Sequence, residues 1–216
     1  MTKLNKFIIF DLDDTLYYEI DFLKSAYNEI SILLDNINRE ELYNRMLFLF
    51  YSGKNVFNYL TDRYSVTLDQ LLFLYRNHKP NIVLNEGGIE IINKAKSLNY
   101  KLGLITDGYS ITQRNKLKAL EIENYFDKII ISEEFGSTKP NENNYKAFVT
   151  EGIYEFFYIG DNTKKDFITP NKLGWTTICL LDNGVNIHKQ DNNLPVQYLP
   201  QNYINNLKEI LDLIIK

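Results

Sequence analysis

The chain has 216 residues, 44% of them hydrophobic and 24% charged, and it carries a formal net charge of -4. That length is enough for one well-buried core and a small appended domain, and a mildly acidic chain without long runs of like charge is a poor partner for nucleic acid polymers or an anionic membrane surface. One cysteine excludes an intramolecular disulfide, and the apolar stretches fall far short of a bilayer span. The short apolar run near the start is followed at once by acids, so we expect no secretion signal within residues 1–16 and a cytoplasmic protein.

The first predicted element is a buried strand that runs directly into acids. Four apolar residues, Phe7–Phe10, precede Asp11, Asp13 and Asp14, and such a run bounded by charge is typical of a strand covered on both faces. In a near-extended chain, residues two apart point the same way, so Asp11 and Asp13 converge and repel unless a cation such as Mg²⁺ relieves them. Taken alone, the acids also fit a turn or a helix cap. A helix–loop–helix calcium site fails because its glycine position is Leu16.

Residues 17–80 predict an all-helical insert. Apolar residues recur there at three-to-four spacing, as in amphipathic helices. Thr67 is a candidate N-cap of the last helix, which is expected to end before Pro80. The predicted helices cover residues 22–34, 42–50, 56–60 and 68–75. The insert follows the acid-bearing strand directly, which indicates a small separate domain beside the end of that strand.

From about residue 85 the pattern changes to helices alternating with short buried strands, which indicates a parallel sheet with helices on both faces. The helices are predicted at Gly87–Leu98, Thr112–Leu120, Asn143–Val149 and Lys164–Leu173. The strands are predicted at Lys101–Thr106, Lys128–Ser132, Phe156–Gly160 and Thr176–Leu181. Tyr198 and Leu199 suggest a short edge strand, and Leu207–Ile214 a closing helix. We therefore predict an α/β fold, with a core formed by residues 1–16 and 81–216 and a four-helix domain formed by residues 17–80.

Polar residues follow four of the predicted strands. Right-handed crossovers place the C-terminal ends of parallel strands on one edge of the sheet, so we expect these residues to meet there. Each cluster alone also fits a turn, a surface lysine or a helix cap, but four clusters at four strand ends favour one site. The clusters are Asp11–Asp13, Thr106–Gly108, Gly136–Pro140 and Gly160–Asn162, the last with Asp166 five residues after Asp161.

The clusters together predict phosphoryl transfer through a carboxylate. A phosphoester is densely negative, so a carboxylate attacks it only where that charge is neutralised. Asp11 is the candidate nucleophile, which gives an aspartyl-phosphate intermediate. Asp13 is the candidate acid that protonates the leaving alcohol and then takes a proton from the hydrolytic water.

The acids also predict a metal site. We expect Mg²⁺ to be held by Asp11, Asp161 and the backbone carbonyl of Asp13, because oxygen ligands suit this ion and its charge offsets the repulsion between the carboxylates. Asp166 and Asn162 are expected behind these ligands, with Asp166 orienting the waters of the metal or the neighbouring lysine.

The remaining polar groups are assigned to the phosphoryl group. Lys139 supplies a fixed positive charge against the phosphate and Asp11. The hydroxyl of Thr106 and the backbone amides of Asp107 and Gly108 are expected to donate hydrogen bonds to the phosphoryl oxygens.

The four clusters resemble the motifs of the haloacid dehalogenase-like (HAD) hydrolase superfamily over nearly the whole chain. DLDDT at Asp11–Thr15 is similar to its first motif, Thr106 within ITDG to its second, Lys139 within KPN to its third, and Asp161 with Asp166 to its fourth. The resemblance implies a Rossmann-like core, dependence on Mg²⁺ and a C1-type cap formed by the helical insert. The run that begins at Thr106 further resembles the phosphatase branch with pyrimidine 5′-nucleotidases and N-acylneuraminate 9-phosphatase. The expected substrate is a small phosphorylated metabolite, either a sugar phosphate or a nucleoside monophosphate.

Four other functions share part of this pattern. A dehalogenase is disfavoured because Asp13 supplies an acid that carbon–halogen cleavage does not need and that the dehalogenases resembled here lack. A sugar-phosphate mutase shares the nucleophile, the acid and the cap, although mutases usually carry Gly where Asp14 stands. A phospho-acceptor switch resembling a receiver would need its acceptor after the third strand, where Ser132–Glu134 stands. A catalytically silent binding module is disfavoured because the polar positions are intact.

The insert is expected to close over the sheet edge, excluding water from the ester and selecting the leaving group. The expected hinges are residues 17–18 and residues 81–87. Lys24, Arg45 and Lys54 are candidate ligand contacts within the insert, although charged residues usually coat a solvated helix face.

Overall fold

The computed structural model describes residues 5–215, so residues 1–4 and 216 of the predicted core lie outside the described part of the chain. Within it, six parallel strands form one sheet: β1 (Lys6–Phe10), β2 (Lys101–Thr106), β3 (Lys128–Ile131), β4 (Glu155–Gly160), β5 (Thr176–Leu180) and β6 (Asn202–Ile204). The strand order is β3-β2-β1-β4-β5-β6, and every neighbouring pair is parallel. The predicted α/β fold is therefore confirmed.

Strand β1 lies at the centre of the sheet, between β2 and β4. Successive strands extend the sheet to one side of β1 and then to the other, so a crevice opens at its C-terminal end, where open α/β sheets bind ligands. The position explains the unbroken apolar run. Ile8 and Phe10 pack into the core on one face, and Phe7 and Ile9 pack into the core on the other.

Helices account for much of the remaining chain. Those after β1 are α1 (Glu19–Leu34), α2 (Arg39–Tyr51), α3 (Val56–Arg63), α4 (Leu68–Asn77) and α5 (Gly88–Ser97). Those after β2 are α6 (Ser110–Ala119), α7 (Ser132–Phe135), α8 (Glu142–Lys146), α9 (Ile168–Lys172) and α10 (Ile210–Ile214). No helix within residues 5–215 is both long and apolar enough to cross a membrane.

Helices α1 to α4 occupy the four predicted segments of the insert and share an apolar cluster of their own, which includes Ile20, Met46, Leu60 and Leu71. Thr67 caps α4 as expected: its hydroxyl accepts from the amide of Gln70 at 3.2 Å, and the Gln70 side chain accepts from the Thr67 amide at 2.8 Å. A separate apolar cluster supports the division of the chain into core and cap. The division at residues 17 and 80 stays a prediction.

Several predicted boundaries were wrong. The edge strand is β6, and the predicted position at Tyr198 falls in a 3-10 turn that starts after Pro195, whose fixed φ suits a turn rather than a ladder. Helices α8 and α9 are shorter than predicted, and α9 starts late because residues 161–166 form a loop around a buried carboxylate, described below. Ser132 begins the short helix α7 instead of ending β3.

Candidate active site

The predicted polar residues meet at the C-terminal edge of the sheet. Asp11 follows β1, Thr106 ends β2 and Asp161 follows β4, and these three strands are neighbours in the sheet. Oxygens of Asp11, Asp161 and Asp166 lie within 4.8 Å of one another. All three side chains are buried, so the structure brings residues from distant parts of the chain into one enclosed acidic cluster.

Lys139 bridges this cluster. Its ammonium lies 2.8 Å from Asp11 Oδ1 and 2.8 Å from Asp166 Oδ1, and it donates to the hydroxyl of Tyr158 at 3.3 Å. Burial alone would lower the pKa of Lys139, but the charges of Asp11 and Asp166 outweigh it and hold that pKa well above its ordinary value. Lys139 is therefore a permanent buried cation.

One lysine does not balance three carboxylates. Burial raises the pKa of Asp11 to about 7, with a further contribution from the charge of Asp166 that Lys139 opposes. Burial, followed by the charges of Asp166 and Asp11, raises the pKa of Asp161 well above its ordinary value. Clustered carboxylate oxygens with uncompensated charge are the donor set that a hard divalent cation prefers. The residues present therefore fit Mg²⁺.

Asp166 is held by the protein on both oxygens. Its Oδ1 pairs with Lys139, and its Oδ2 accepts from the amides of Asp161 at 3.2 Å and Asn162 at 2.8 Å. Gly160 is required for this contact, because a Cβ at that position would lie 2.5 Å from Asp166 Oδ2. These contacts support the predicted role of Asp166 behind the metal ligands, which stays a prediction.

Asn162 contributes chiefly through its backbone. Its amide donates to Asp166, while its side-chain oxygen accepts from the amide of Lys164 at 3.1 Å and so closes a local turn. The predicted contribution of Asn162 to the site is thus a backbone contact in the structure.

The carboxylate of Asp13 lies apart from the acidic cluster. It accepts from Lys116 Nζ at 2.6 Å, from Gln113 Nε2 at 2.9 Å and from the hydroxyl of Tyr17. Burial raises the pKa of Asp13. The charge and hydrogen bond of Lys116 lower it, as do the hydrogen bonds from Tyr17 and Gln113. Together these contacts outweigh burial, so the pKa of Asp13 lies below its ordinary value. For Asp13, this leaves the backbone carbonyl as the candidate metal ligand, and that role stays a prediction.

The loop after β2 differs in part from its predicted role. Thr106 Oγ1 accepts from Gln113 Nε2 at 2.6 Å, which leaves the hydroxyl proton available for a phosphoryl oxygen. The Gly108 amide donates to Ser132 Oγ at 2.9 Å. For Gly108 to donate to phosphate, that contact would have to break, so the phosphate-binding role of this amide stays a prediction.

Asp107 positions two lysines. Its Oδ1 accepts from the backbone amide of Lys139 at 3.0 Å, and its Oδ2 pairs with Lys165 Nζ at 3.0 Å. The side chain therefore fixes the loop that carries Lys139, a function that the sequence pattern did not indicate. Lys165, next to Asp166 in the sequence, is a second cation beside the site that sequence reasoning missed.

Two further contacts were missed. Asn186 is buried and donates from Nδ2 to Asp161 Oδ2 at 3.0 Å, but a lone Asn in a turn-rich segment gives no sequence signal. Asp14 has a φ of +54°, and its carboxylate accepts from the amides of Glu19 at 2.9 Å and Ile187 at 3.0 Å. Asp14 thus ties the start of α1 and the loop after β5 to the loop after β1.

A cavity of about 440 Å³ separates the helical insert from the sheet edge. On the core side it reaches Asp13, Asp107 and Gly108, and on the other side it is lined by residues of α1, α3 and α4. Its lining does not include Lys24, Arg45 or Lys54 within the described residues. Arg45 instead lines a separate cavity of about 530 Å³ within the insert, so these lysines and this arginine gain no support as substrate contacts.

The comparisons with known proteins agree with this geometry. The family model described as haloacid dehalogenase-like hydrolase matches residues 8–180. A glyceraldehyde 3-phosphate phosphatase of Methanocaldococcus jannaschii is 31% identical, over 97% of this chain and 96% of that protein. The pyrimidine 5′-nucleotidase YjjG of Escherichia coli is 24% identical, over 97% of each.

Solved structures show the same fold. A HAD phosphatase from Thermococcus onnurineus matches with a TM-score of 0.63 and 21% identity, over 97% of both chains. YfnB from Bacillus subtilis, whose structure is described as bound to magnesium, matches with a TM-score of 0.64 and 18% identity, over 98% of this chain and 99% of that one.

Proposed function

The chain belongs to the haloacid dehalogenase-like hydrolase family and is a phosphatase of that family, and we propose that it hydrolyses a small phosphorylated metabolite, a sugar phosphate or a nucleoside monophosphate, through an aspartyl-phosphate on Asp11 with Mg²⁺ as cofactor. The proposal assigns residues 17–80 to a cap and residues 1–16 with 81–216 to a catalytic core. It includes a cytoplasmic site of action.

The observation that carries the proposal is the buried bridge of Lys139 between Asp11 and Asp166, at 2.8 Å to each. A carboxylate that attacks a phosphoester needs positive charge close by and little competing water. Lys139 supplies that charge beside Asp11, and the burial of both side chains restricts water.

Asp11, Asp161 and the carbonyl of Asp13 would hold Mg²⁺, and Asp166 would orient its waters. When bound, the ion neutralises the carboxylates and the phosphoryl oxygens. This assignment is supported by the close approach of Asp11, Asp161 and Asp166 and by the raised pKa of Asp11 and Asp161.

In the proposed reaction, a carboxylate oxygen of Asp11 forms a bond to phosphorus as the bond from phosphorus to the alcohol oxygen breaks. Asp13 gives its proton to that leaving oxygen. Water then attacks the phosphorus of the aspartyl-phosphate and gives a proton to Asp13, which releases phosphate and restores Asp11. Lys116 favours the ionised form of Asp13 in the free protein, so proton uptake is expected when a negative phosphoryl group arrives beside it.

A panel of phosphorylated metabolites, assayed for phosphate release with and without Mg²⁺, tests the proposal. Release that requires Mg²⁺ and disappears in the Asp11→Asn variant supports it. Absence of release from every ester in the panel would contradict it.

A sugar-phosphate mutase of the same fold is the second candidate, since it would use the same nucleophile and acid. Asp14 favours hydrolysis, because mutases usually carry Gly at this position. The Asp14 carboxylate accepts hydrogen bonds from the amides of Glu19 and Ile187. Interconversion of hexose phosphates without net phosphate release would identify a mutase. A non-catalytic phospho-acceptor or binding module would show neither reaction.

A further inference from the structure

Five aromatic side chains line the cavity between the insert and the sheet edge. We call this set the ring wall: Phe22, Tyr27, Phe57, Tyr75 and Tyr109. The same cavity is bounded by Asp13, the proposed acid, and by Asp107 and Gly108 of the proposed phosphate loop. A leaving group whose ester oxygen meets Asp13 therefore has the ring wall as its surroundings.

Four of the five rings pack together, with Tyr75 at their centre. The centroid of Tyr75 lies 5.4 Å from that of Phe22 and 5.9 Å from that of Phe57, in both cases edge to face. It lies 6.5 Å from the centroid of Tyr27. These rings come from three helices of the insert, α1, α3 and α4, so this packing exists only in the folded cap.

Three charged groups accompany the rings: Glu19, Arg76 and Lys116 line the cavity as well. The ammonium of Lys116, paired with Asp13, lies 4.5 Å from the centroid of Phe22. The guanidinium of Arg76 lies over the ring of Tyr109, 3.8 Å from its centroid. Arg76 offers planar hydrogen-bond donors and Glu19 offers carboxyl oxygens. Together they suit the mixed donors and acceptors on the edge of a flat heterocycle.

A triose does not suit this environment. The volume of about 440 Å³ falls within the range of about 300–1,000 Å³ that is usual for ligand pockets, and a three-carbon sugar would fill little of it. Its hydroxyl and carbonyl groups would also face aromatic carbon, where a polar group loses its hydrogen bonds to water without replacement. A planar ring would instead stack on aromatic faces, as nucleobases do.

We propose, resting on the phosphatase function proposed above, that the substrate is a nucleoside 5′-monophosphate. Its base packs against the ring wall, and the polar edge of the base meets Glu19 and Arg76. The ribose then spans the distance from the base to the ester oxygen beside Asp13.

The test compares kcat/KM for uridine and guanosine 5′-monophosphates with the values for glyceraldehyde 3-phosphate and acetyl phosphate, which lack a ring. We expect the better nucleotide to exceed glyceraldehyde 3-phosphate at least tenfold. Tyr75→Leu and Phe57→Leu should each lower the nucleotide value about tenfold, in line with the usual worth of one stacking contact. The loss of kcat/KM should be at least fivefold smaller for acetyl phosphate, which has no ring to contact these side chains.

Phe73→Leu is the matched control, because Phe73 lies on α4 two residues before Tyr75 but is exposed and outside this cavity. This variant should change kcat/KM by no more than about twofold for the nucleotides and for the ringless substrates. Two ring variants are used so that the test survives if one fails to fold.

Binding separates this inference from the proposed function. Calorimetry with Asp11→Asn, Mg²⁺ and uridine 5′-monophosphate measures binding without turnover, and glycerol 3-phosphate serves as the ringless comparison. The inference would be overturned if kcat/KM for glyceraldehyde 3-phosphate exceeds that for both nucleotides at least tenfold and the ring variants have no effect. The proposed phosphatase function would then still hold. Tight nucleotide binding, with no ester hydrolysed by the wild-type protein, would support nucleotide binding in this cavity and contradict the proposed phosphatase function. If the protein neither binds nor hydrolyses the nucleotides, the inference is overturned.

Discussion

The ammonium of Lys116 lies 2.6 Å from Asp13 Oδ1, and it also lies 4.5 Å from the centroid of the Phe22 ring in the helical insert. A core helix therefore reaches the proposed acid and the cap through one side chain. Because the ion pair is mostly buried, removing one partner is expected to change the behaviour of the other.

Replacing Lys116 with Met should move the alkaline limb of the kcat profile to higher pH. Lys116 lowers the pKa of Asp13; without it that pKa rises, and the acid form needed to protonate the leaving oxygen persists to higher pH. The measurement is kcat against pH for an alkyl phosphate ester at saturating concentration, because Asp13 takes up its proton in the complex with the ester. Lys118→Met, an exposed position on the same helix, should leave the limb in place, and an unchanged limb in Lys116→Met would argue against Asp13 as the acid.

Replacing Asp11 with Asn should lower kcat by at least about four orders of magnitude, because an amide cannot serve as the nucleophile. Phosphate release under saturating ester and Mg²⁺ measures the loss, and circular dichroism checks the fold. Asp21→Asn, at a partly exposed position on α1, is the control. A variant that keeps a tenth of wild-type turnover would end the assignment of Asp11.

Replacing Asp13 with Asn should affect substrates unequally. Loss of a general acid typically costs about 10²–10⁴-fold, and the cost should be largest for alkyl esters, whose alkoxide leaves poorly without a proton. p-Nitrophenyl phosphate, with a good leaving group, should suffer at least tenfold less. Equal losses on both substrates would point to a role of Asp13 in the metal site.

Binding of Mg²⁺ should stabilise the protein more at pH 8 than at pH 5. The pKa of Asp11 is about 7 in the folded protein against 3.8 for the ordinary group, so between these values the unfolded chain binds fewer protons and stability without metal falls as pH rises. Bound Mg²⁺ favours the ionised carboxylates, while protons compete with it at low pH. The measurement is the increase in Tm with Mg²⁺ at each pH. The increase should shrink in Asp161→Asn, and an increase independent of pH would contradict the assignment of these acids.

Replacing Asn186 with Ala should weaken Mg²⁺ binding about 10–100-fold, the usual effect of losing a contact that orients a metal ligand. Asn186 donates to Asp161 Oδ2 at 3.0 Å, and without it the carboxylate is free to turn. Titration calorimetry with Mg²⁺ gives the affinity directly. Asn192→Ala, at an exposed position in the same loop, is the control, and equal affinities of the two variants would show that Asp161 does not depend on Asn186.

The sheet and most of its helices could be predicted because their signals are local. A central strand is buried on both faces, so Phe7–Phe10 is apolar throughout, and the chain crossover rules then place Asp11 and Asp161 on one edge. Boundaries failed where a long-range contact decides them. Helix α9 starts late because Asp166 binds the amides of Asp161 and Asn162, and an amphipathic pattern carries no information about such a loop.

The sequence by itself determined the fold class and the acids, the threonine and the lysine at the strand ends, since residue type and position along a strand suffice for these. Only the tertiary structure decided how they are arranged: Asp13 pairs with Lys116 from another helix, Asn186 reaches Asp161 from a distant loop, and aromatic rings from three helices face one cavity. Such contacts depend on packing between segments far apart in the chain, which no local periodicity or spacing encodes.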